Sequence, residues 1–168
     1  MPLYTLLDSP LGRLTLVGEP SADAPGGTVL TALSVPDQKG GVVPAADWIR
    51  EPAAFTEAER QLTEYFAGER REFGLSLAAR GTAFRERVWA ALDGVPYGET
   101  VSYGEVARRI GATRPAVRAV GTAIGANPLL VLRPCHRVIG ADGSLTGYAG
   151  GLDRKRALLS LEGGAALG

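Results

Sequence analysis

The chain contains a single cysteine, Cys135, and a single histidine, His136, and the two are neighbours. One cysteine cannot form an intramolecular disulfide, and one Cys with one His falls far short of the four ligands of a structural zinc site. No metal site is therefore expected, and the fold must rest on a hydrophobic core. Hydrophobic residues make up 45% of the 168 positions, which is enough for one domain or two small ones.

Long apolar segments are missing from the sequence. The longest uninterrupted aliphatic run is Leu129-Leu130-Val131-Leu132, which is far too short to cross a bilayer. The first residues lack the basic and apolar regions of a secretory signal peptide. We therefore expect a cytoplasmic protein without a membrane partner.

The net charge of zero is the sum of two halves of opposite sign. Residues 1–83 carry seven basic and eleven acidic side chains, whereas residues 84–168 carry eleven basic and seven acidic ones. Such a one-signed block indicates an anionic partner, because arginine recognises phosphate well; a solvated basic face is the alternative. The block is residues 106–141, which hold no carboxylate and six arginines: Arg108, Arg109, Arg114, Arg118, Arg133 and Arg137.

The first half shows the pattern of a small α+β unit. Alternating apolar residues on either side of a Ser9-Pro10-Leu11-Gly12 turn predict a hairpin over residues 2–18, and residues 27–35 a third strand. After a loop over residues 36–48, Thr56 and Glu59 form the pattern of a capping box. The helix that begins there is expected to end at Gly68. Residues 69–81 are predicted to be a linker with one short strand, and nothing in this half indicates chemistry.

The second half predicts a helix-turn-helix. Thr82 is placed to cap one helix, and Ser102 with Glu105 to cap a short second one that ends at Gly111. A third helix over residues 116–124 follows after a four-residue connection. Residues 116–123 are all small except Arg118, which suits close approach to a DNA backbone or minor groove better than reading of base edges. Helix-to-helix packing with a solvated Arg118 is the alternative.

Cys135 follows a predicted buried strand, Leu129 to Leu132, and comes directly after Pro134. A lone cysteine is commonly just a small buried hydrophobe. Here the nearby cations, Arg133 and Arg137 among them, favour a reactive thiol of lowered pKa. A papain-like site is excluded, because it needs a histidine from elsewhere in the chain. His136 would act on its neighbour more easily through a water than directly.

Glu162 is the second candidate in this region. It falls in the last turn of a predicted helix that starts near Leu152, where the helix dipole disfavours a carboxylate. That cost suggests a role, such as holding His136 in one tautomer. A solvated helix end is the alternative.

The segment Pro134-Cys135-His136-Arg137-Val138 resembles the active-site motif of the O6-alkylguanine-DNA alkyltransferases, also called methylated-DNA–protein-cysteine methyltransferases. The strong resemblance covers residues 80–163, and the first half matches weakly through Asp8 to Gly12 and Tyr65 to Gly68. Further segments appear in the family's order and near its spacing: Arg80-Gly81-Thr82-Ala83-Phe84, Val88-Trp89, Pro96-Tyr97-Gly98-Glu99-Thr100, Ser102-Tyr103, Arg118-Ala119-Val120-Gly121, Ala126-Asn127-Pro128, Gly147-Tyr148, Gly150-Gly151 and Leu161-Glu162-Gly163.

The resemblance implies an α+β fold of two domains. Residues 1–80 would form a small ribonuclease-H-like α/β domain. Residues 81–168 would form a mostly helical domain that carries the helix-turn-helix and the active-site cysteine.

The resemblance also implies roles for single residues. Cys135 would be the nucleophile, His136 and Glu162 its activating partners through a water, and Asn127 the hinge before the active-site segment. Arg118 would be the finger that fills the base stack, with Tyr103, Arg114, Ala119 and Gly121 also at the DNA. Tyr103 would be catalytic as well, crowding the phosphate and bonding the flipped base. The alkylguanine pocket would be formed by Tyr148, Ala149, Gly150 and backbone groups of Cys135 and Val138. Many relatives have serine where this chain has Ala149, so a hydroxyl contact to the base would be lost.

The implied activity is DNA repair by one irreversible transfer of an alkyl group from O6-alkylguanine, and also from O4-alkylthymine, to Cys135 after base flipping. The expected partner is double-stranded DNA bound through the minor groove by a monomer, with no cofactor. Two other readings stay open: an alkyltransferase-like protein that binds the lesion without transfer, and a helix-turn-helix regulator. Cys135 argues against the first, and the sparse polar content of residues 116–126 argues against the second.

Overall fold

A computed structural model describes residues 2–165 of the chain. The first half contains a four-stranded sheet and one helix, and the second half contains four helices and a two-stranded sheet. The strands are β1 (Leu3–Ser9), β2 (Gly12–Pro20), β3 (Thr28–Ser34), β4 (Ile49–Arg50), β5 (Val101–Ser102) and β6 (Val138–Ile139). The helices are α1 (Thr56–Phe66), α2 (Ala83–Asp93), α3 (Tyr103–Arg109), α4 (Val117–Gly125) and α5 (Leu152–Glu162).

The first sheet has the strand order β3-β2-β1-β4. Strand β2 pairs antiparallel with both β1 and β3, and the short β4 lies parallel to β1. The predicted hairpin and third strand are confirmed. The hairpin turn is closed by Ser9, whose hydroxyl donates to the carbonyl of Gly12 and accepts from the amide of Leu11. Gly12 has a φ of +103°, which is open to glycine and costly for other residues.

Helix α1 begins at Thr56 as predicted, but the predicted capping box is wrong. A 3₁₀ turn over Pro52–Phe55 leads directly into the helix, so Thr56 is already helical. Its hydroxyl donates to the carbonyl of Ala53 instead of accepting from an amide of the first turn. The helix stops before Gly68, whose φ of +78° ends it as expected.

The predicted helix-turn-helix is formed by α3 and α4. Helix α2 is capped by the hydroxyl of Thr82, which accepts from the amide of Arg85, and α3 by that of Ser102, which accepts from the amide of Glu105. Helix α4 packs on α2, where the indole of Trp89 donates to the carbonyl of Ala123. None of the helices in residues 2–165 is long and apolar enough to cross a membrane.

The predicted strand over Leu129 to Leu132 is wrong. Only Leu129 pairs, in a single parallel bridge to Leu33 of β3. The chain then turns sharply: Val131 has a φ of +69°, and the amide of Leu132 donates to the carbonyl of Leu130 at 2.7 Å. The apolar run is buried in this tight turn, so its hydrophobicity reports burial and not strand geometry.

One hydrophobic core joins the two halves. Buried residues of the first sheet and α1, such as Leu33 and Leu62, belong to the same cluster as Leu129 and Leu158 from the second half. Arg154 of α5 adds polar ties, donating to the carbonyls of Leu11 and Pro36 at 2.8 and 2.9 Å. The first half is therefore packed firmly behind the segment that carries Cys135.

Candidate active site

Cys135 starts a short 3₁₀ turn, Cys135–Arg137, directly after Pro134. The residue is only 3% exposed. It lies on the wall of a cavity of about 490 Å³ that α4, the loop before α5 and the loop after β3 enclose. A thiol that is 3% exposed and lies on this wall can be reached by a group that enters the cavity.

Several of the predicted residues line the cavity with Cys135. Tyr103, Gly121, Tyr148 and Ala149 do so. The other lining residues are Lys39, Gly40, Arg85, Thr122, Ile124, Gly125, Ala126 and Gly147.

Two residues of the predicted alkylguanine pocket lie outside the lining set. Val138 is fully buried and pairs with Val101 in the second sheet. Gly150 is buried beside Tyr148, whose ring would lie 2.8 Å from a Cβ at this position. Gly150 therefore lets the Tyr148 ring pack against the backbone.

The expected lowering of the thiol pKa is wrong. Burial raises the pKa of Cys135 to about 11, and the Asn127 side chain and the charge of Lys155 offset this only in part. Arg133 donates to Asp93 at 3.2 Å and stacks over Trp89. The resting thiol is therefore protonated at neutral pH, and its proton must be removed during the reaction.

His136 and Glu162 are in direct contact, as the resemblance implies. Nε2 of the fully buried His136 lies 2.8 Å from Oε2 of Glu162. The other ring nitrogen, Nδ1, has no hydrogen-bond partner among residues 2–165. Burial lowers the pKa of His136, so the ring is neutral at pH 7 and can accept a proton.

Glu162 is held by more groups than its histidine. The guanidinium of Arg137 donates from Nε to Oε1 at 2.7 Å and from Nη2 to Oε2 at 2.9 Å. The hydroxyl of Tyr65 donates to Oε2 at 2.6 Å. Burial alone would raise the pKa of Glu162, but hydrogen bonds from His136, Arg137 and Tyr65 lower it to about 2. The carboxylate therefore stays ionised. Although Glu162 is at the end of α5, its side chain lies in a buried hydrogen-bond network and is not solvated.

The sequence reasoning missed three side chains of this site: Tyr65, Arg137 as a partner of Glu162, and Lys155. Lys155 is fully buried and donates to the carbonyls of Thr146 and Gly147 at 2.7 and 3.3 Å, so it fixes the cavity loop. Its spacing from Leu158 and Glu162 places it on the buried stripe of α5, which is a usable signal. No sequence pattern indicates that Tyr65 or Arg137 contacts Glu162.

Asn127 lies behind Cys135 and organises the turn that precedes it. The side chain is 2% exposed. Its amide nitrogen donates to the carbonyls of Leu129 and Arg133, both at 3.3 Å, and its oxygen accepts from the amide of Leu129 at 3.0 Å. Because this segment does not continue as a strand, the Asn127 hydrogen bonds hold its backbone in position.

Replacing Asn127 with alanine is expected to destabilise the protein by roughly 2–3 kcal/mol, because buried backbone groups lose their partners. Denaturant unfolding measures the change. Thr56→Ala is a matched control, since it removes an exposed hydroxyl bond and should cost about 0.5 kcal/mol or less. If Asn127→Ala lowered the free energy of unfolding no more than Thr56→Ala does, Asn127 would not be what holds this turn.

The exposed face of the helix-turn-helix carries the other predicted residues. Arg114, Arg118 and Ala119 are exposed, and Arg118 lies one turn before the part of α4 that lines the cavity. Tyr103 connects this face to the cavity loop, since its hydroxyl accepts from that of Thr146 at 3.1 Å. The position of Arg118 on α4 is therefore one turn from the cavity lining.

Of the six arginines in the acid-free block, only four are exposed. Arg133 and Arg137 are each 7% exposed and paired with Asp93 and Glu162. The exposed arginines are Arg108, Arg109, Arg114 and Arg118.

Comparison with known proteins gives consistent matches over both halves. A family model described as the ribonuclease-like domain of 6-O-methylguanine DNA methyltransferase matches residues 3–79, and one described as its DNA-binding domain matches residues 83–164. A methylated-DNA–protein-cysteine methyltransferase of Mycobacterium tuberculosis H37Rv is 53% identical over 160 residues, which are 95% of this chain and 91% of that protein. One of Methanosarcina acetivorans is 45% identical over 160 residues, covering 95% and 97%.

Solved structures agree with these matches. The crystal structure of Mycobacterium tuberculosis OGT in complex with DNA has a TM-score of 0.87 and 52% identity, and covers 98% of this chain and 94% of that one. The predicted two-domain α+β class, with a ribonuclease-like sheet domain and a helical DNA-binding domain, is confirmed. With this identity over nearly its whole length, the chain belongs to the methylated-DNA–protein-cysteine methyltransferase family.

Proposed function

We propose that this protein repairs DNA by transferring an alkyl group from O6-alkylguanine to the sulfur of Cys135. The observation that carries the proposal is the placement of Cys135 on the cavity wall, with the His136–Glu162 pair in the adjoining buried network. Methylated-DNA–protein-cysteine methyltransferase is the name of relatives at 53% identity. No observation favours lesion binding without transfer or sequence-specific regulation.

DNA is the proposed partner, and a flipped base the proposed occupant of the cavity. A base stacked in a duplex cannot reach a thiol that is 3% exposed, so it must rotate out of the helix. The volume of about 490 Å³ lies in the range of small-ligand sites. The small residues of α4 let it approach the minor groove, where Arg118 fills the vacated stack and Arg114, Ala119 and Gly121 face the backbone.

We propose that residues of the cavity wall hold the guanine. Tyr103 and the backbone amide of Ala149 would bond the base and stabilise the charge that develops on O6, and Tyr148 would pack on the alkyl group. Val138 would contribute through its backbone and Gly150 by letting the Tyr148 ring lie close. Ala149 has no hydroxyl, so its contact is limited to the main chain.

The proposed chemistry begins with removal of the thiol proton. The pKa of Cys135 is raised to about 11, so the proton leaves through a water to Nδ1 of neutral His136, and Glu162 stabilises the imidazolium. The thiolate then attacks the alkyl carbon, and the bond from that carbon to O6 breaks. The guanine anion that leaves takes up one proton, donated by the hydroxyl of Tyr103, which regains a proton from water while the His136 imidazolium returns its proton to water. Asn127 keeps the turn before Cys135 in place.

We place the domain boundary between residues 80 and 81, and we propose a cytoplasmic monomer that also accepts O4-alkylthymine. The family-model matches over residues 3–79 and 83–164 support this boundary.

At most one alkyl group is expected per chain, because the product is a thioether and none of the residues 2–165 near Cys135 is placed to cleave it. Incubation of the protein with a tenfold excess of duplex containing radiolabelled O6-methylguanine, followed by counting of protein-bound label, measures the stoichiometry. The plateau should not exceed one label per chain. Continued release of repaired DNA after the plateau would contradict a single-turnover reaction.

Binding to unmodified duplex is expected to weaken steeply with salt, because the exposed arginines displace condensed counterions. Three or four phosphate contacts predict a slope of about −3 in a plot of log affinity against log salt, roughly a hundredfold loss from 50 to 200 mM. Fluorescence anisotropy with duplexes of different sequence measures both slope and preference. A strong preference for one unmodified sequence would support the regulator reading instead.

A further inference from the structure

One hydroxyl of the N-terminal domain reaches the buried network next to Cys135. Tyr65 lies on α1, is fully buried, and donates from its hydroxyl to Oε2 of Glu162 at 2.6 Å. The two residues are 97 positions apart and belong to different domains. The N-terminal domain therefore contacts the proposed relay directly and does more than support it from behind.

The protonation states of this pair are fixed. Burial and the charge of Glu162 raise the pKa of Tyr65, so its hydroxyl keeps its proton. The pKa of Glu162 is lowered to about 2, so the carboxylate is ionised. The contact is therefore a neutral donor on a charged acceptor, the class of hydrogen bond that is about twice as strong as a neutral pair.

The carboxylate oxygen that accepts from Tyr65 also contacts the histidine. Oε2 of Glu162 accepts hydrogen bonds from Nε2 of His136 at 2.8 Å, from Nη2 of Arg137 at 2.9 Å and from the hydroxyl of Tyr65 at 2.6 Å. These donors share the negative charge of one oxygen, so each weakens the hold of that oxygen on the others.

The Tyr65 ring is held rigidly in an aromatic cluster. It packs with its centroid 5.4 Å from that of Phe66, 5.1 Å from Phe73 and 6.2 Å from Tyr97. Phenylalanine at position 65 would keep these contacts and remove only the hydroxyl. The cluster thus allows the hydroxyl to be tested apart from packing.

We infer that Tyr65 is a positioning residue, which sets how much of the charge of Glu162 acts on His136 and thereby tunes the base that deprotonates Cys135. This inference rests on the proposed function for its chemical meaning. It assigns the N-terminal domain a part in alkyl transfer that is separate from its packing.

The direction of the effect follows from the shared oxygen. Without the Tyr65 hydroxyl, more negative charge of Glu162 faces His136 and favours its protonated form, so the pKa of His136 should rise from its lowered value. The other charged groups that act on the ring, Arg137 and Lys155, both lower its pKa and remain in place in the variant.

The test uses the fact that His136 is the only histidine of the chain. In untagged full-length protein, ¹⁵N NMR of the imidazole reports its titration without ambiguity. Tyr65→Phe should raise the pKa of His136. Tyr97→Phe is the matched control, because it removes a hydroxyl from the same cluster that bonds the carbonyl of Leu161 and not Glu162; it should leave the titration of His136 unchanged.

Transfer kinetics provide the second measurement. Tyr65→Phe should speed transfer from free O6-benzylguanine and from duplex O6-methylguanine by a similar factor, on the order of twofold to fivefold near pH 7, because a His136 of higher pKa accepts the Cys135 proton more readily. An unchanged His136 titration, equal shifts in the two variants, slower transfer, or an effect confined to the duplex would overturn the inference. If wild-type Cys135 accepted no alkyl group, the proposed function would fail, whereas the NMR comparison would still test the hydroxyl contact.

Discussion

Replacing Cys135 with serine is expected to abolish alkyl transfer while leaving the affinity for DNA containing O6-methylguanine within about twofold of wild type. A serine hydroxyl is not ionised at neutral pH and is a weak nucleophile without a base matched to it. The proposed relay through His136 acts on a thiol whose pKa is about 11, and an alcohol holds its proton far more tightly. The cavity keeps its shape, because oxygen is slightly smaller than sulfur.

Two measurements separate chemistry from binding in this variant. Mass spectrometry after long incubation with alkylated duplex detects any transfer, and anisotropy with the same duplex detects binding. Transfer to another residue of the Cys135→Ser protein would show that Cys135 is not the acceptor. Loss of lesion binding together with transfer would show that the thiol also holds the base.

Replacing Arg118 with alanine is expected to slow transfer from duplex DNA by roughly a hundredfold, which corresponds to an unstacking cost of a few kcal/mol that is no longer offset. Arg118 is exposed one turn before the part of α4 that lines the cavity, and Cys135 and its network are untouched by the change. Free O6-benzylguanine needs no flipping, so its reaction should be nearly unchanged. The ratio of the two rates is the measurement.

Arg114→Ala is the matched control for this prediction, since Arg114 is also an exposed arginine of the helix-turn-helix. It should weaken binding to all duplexes evenly and reduce the salt slope by about one. If Arg118→Ala slowed the free base as much as the duplex, Arg118 would support the cavity and would not fill the stack.

The fold was predictable where local chemistry decides the conformation. The hairpin turn and the caps at Thr82 and Ser102 are set by residues within three positions of each other. The predicted capping box at Thr56 was wrong because an upstream 3₁₀ turn had already started the helix. The predicted strand at Leu129 was wrong because the distant contact to Leu33 and the Asn127 amide determine the backbone conformation there.

The site was predictable only in part for the same reason. Cys135, His136 and Glu162 were identified, and the structure brings His136 and Glu162 into contact. The raised pKa of the Cys135 thiol was not predicted, because the sequence shows the nearby cations but not the burial, which outweighs the lowering by Lys155 and Arg133. The contact of Tyr65 was not predicted, because its hydrogen bond to Glu162 joins residues 97 positions apart and leaves no local sequence pattern.

The central claim is that the sulfur of Cys135 accepts the alkyl group. Peptide mapping by mass spectrometry, after one equivalent of duplex O6-methylguanine has reacted, tests it most directly. The account expects a gain of one methylene on the peptide that contains Cys135, with fragment ions placing it on that residue, and an equal amount of restored guanine in the DNA. An unmodified Cys135 peptide beside repaired DNA, or a methyl group on any other residue, would contradict it.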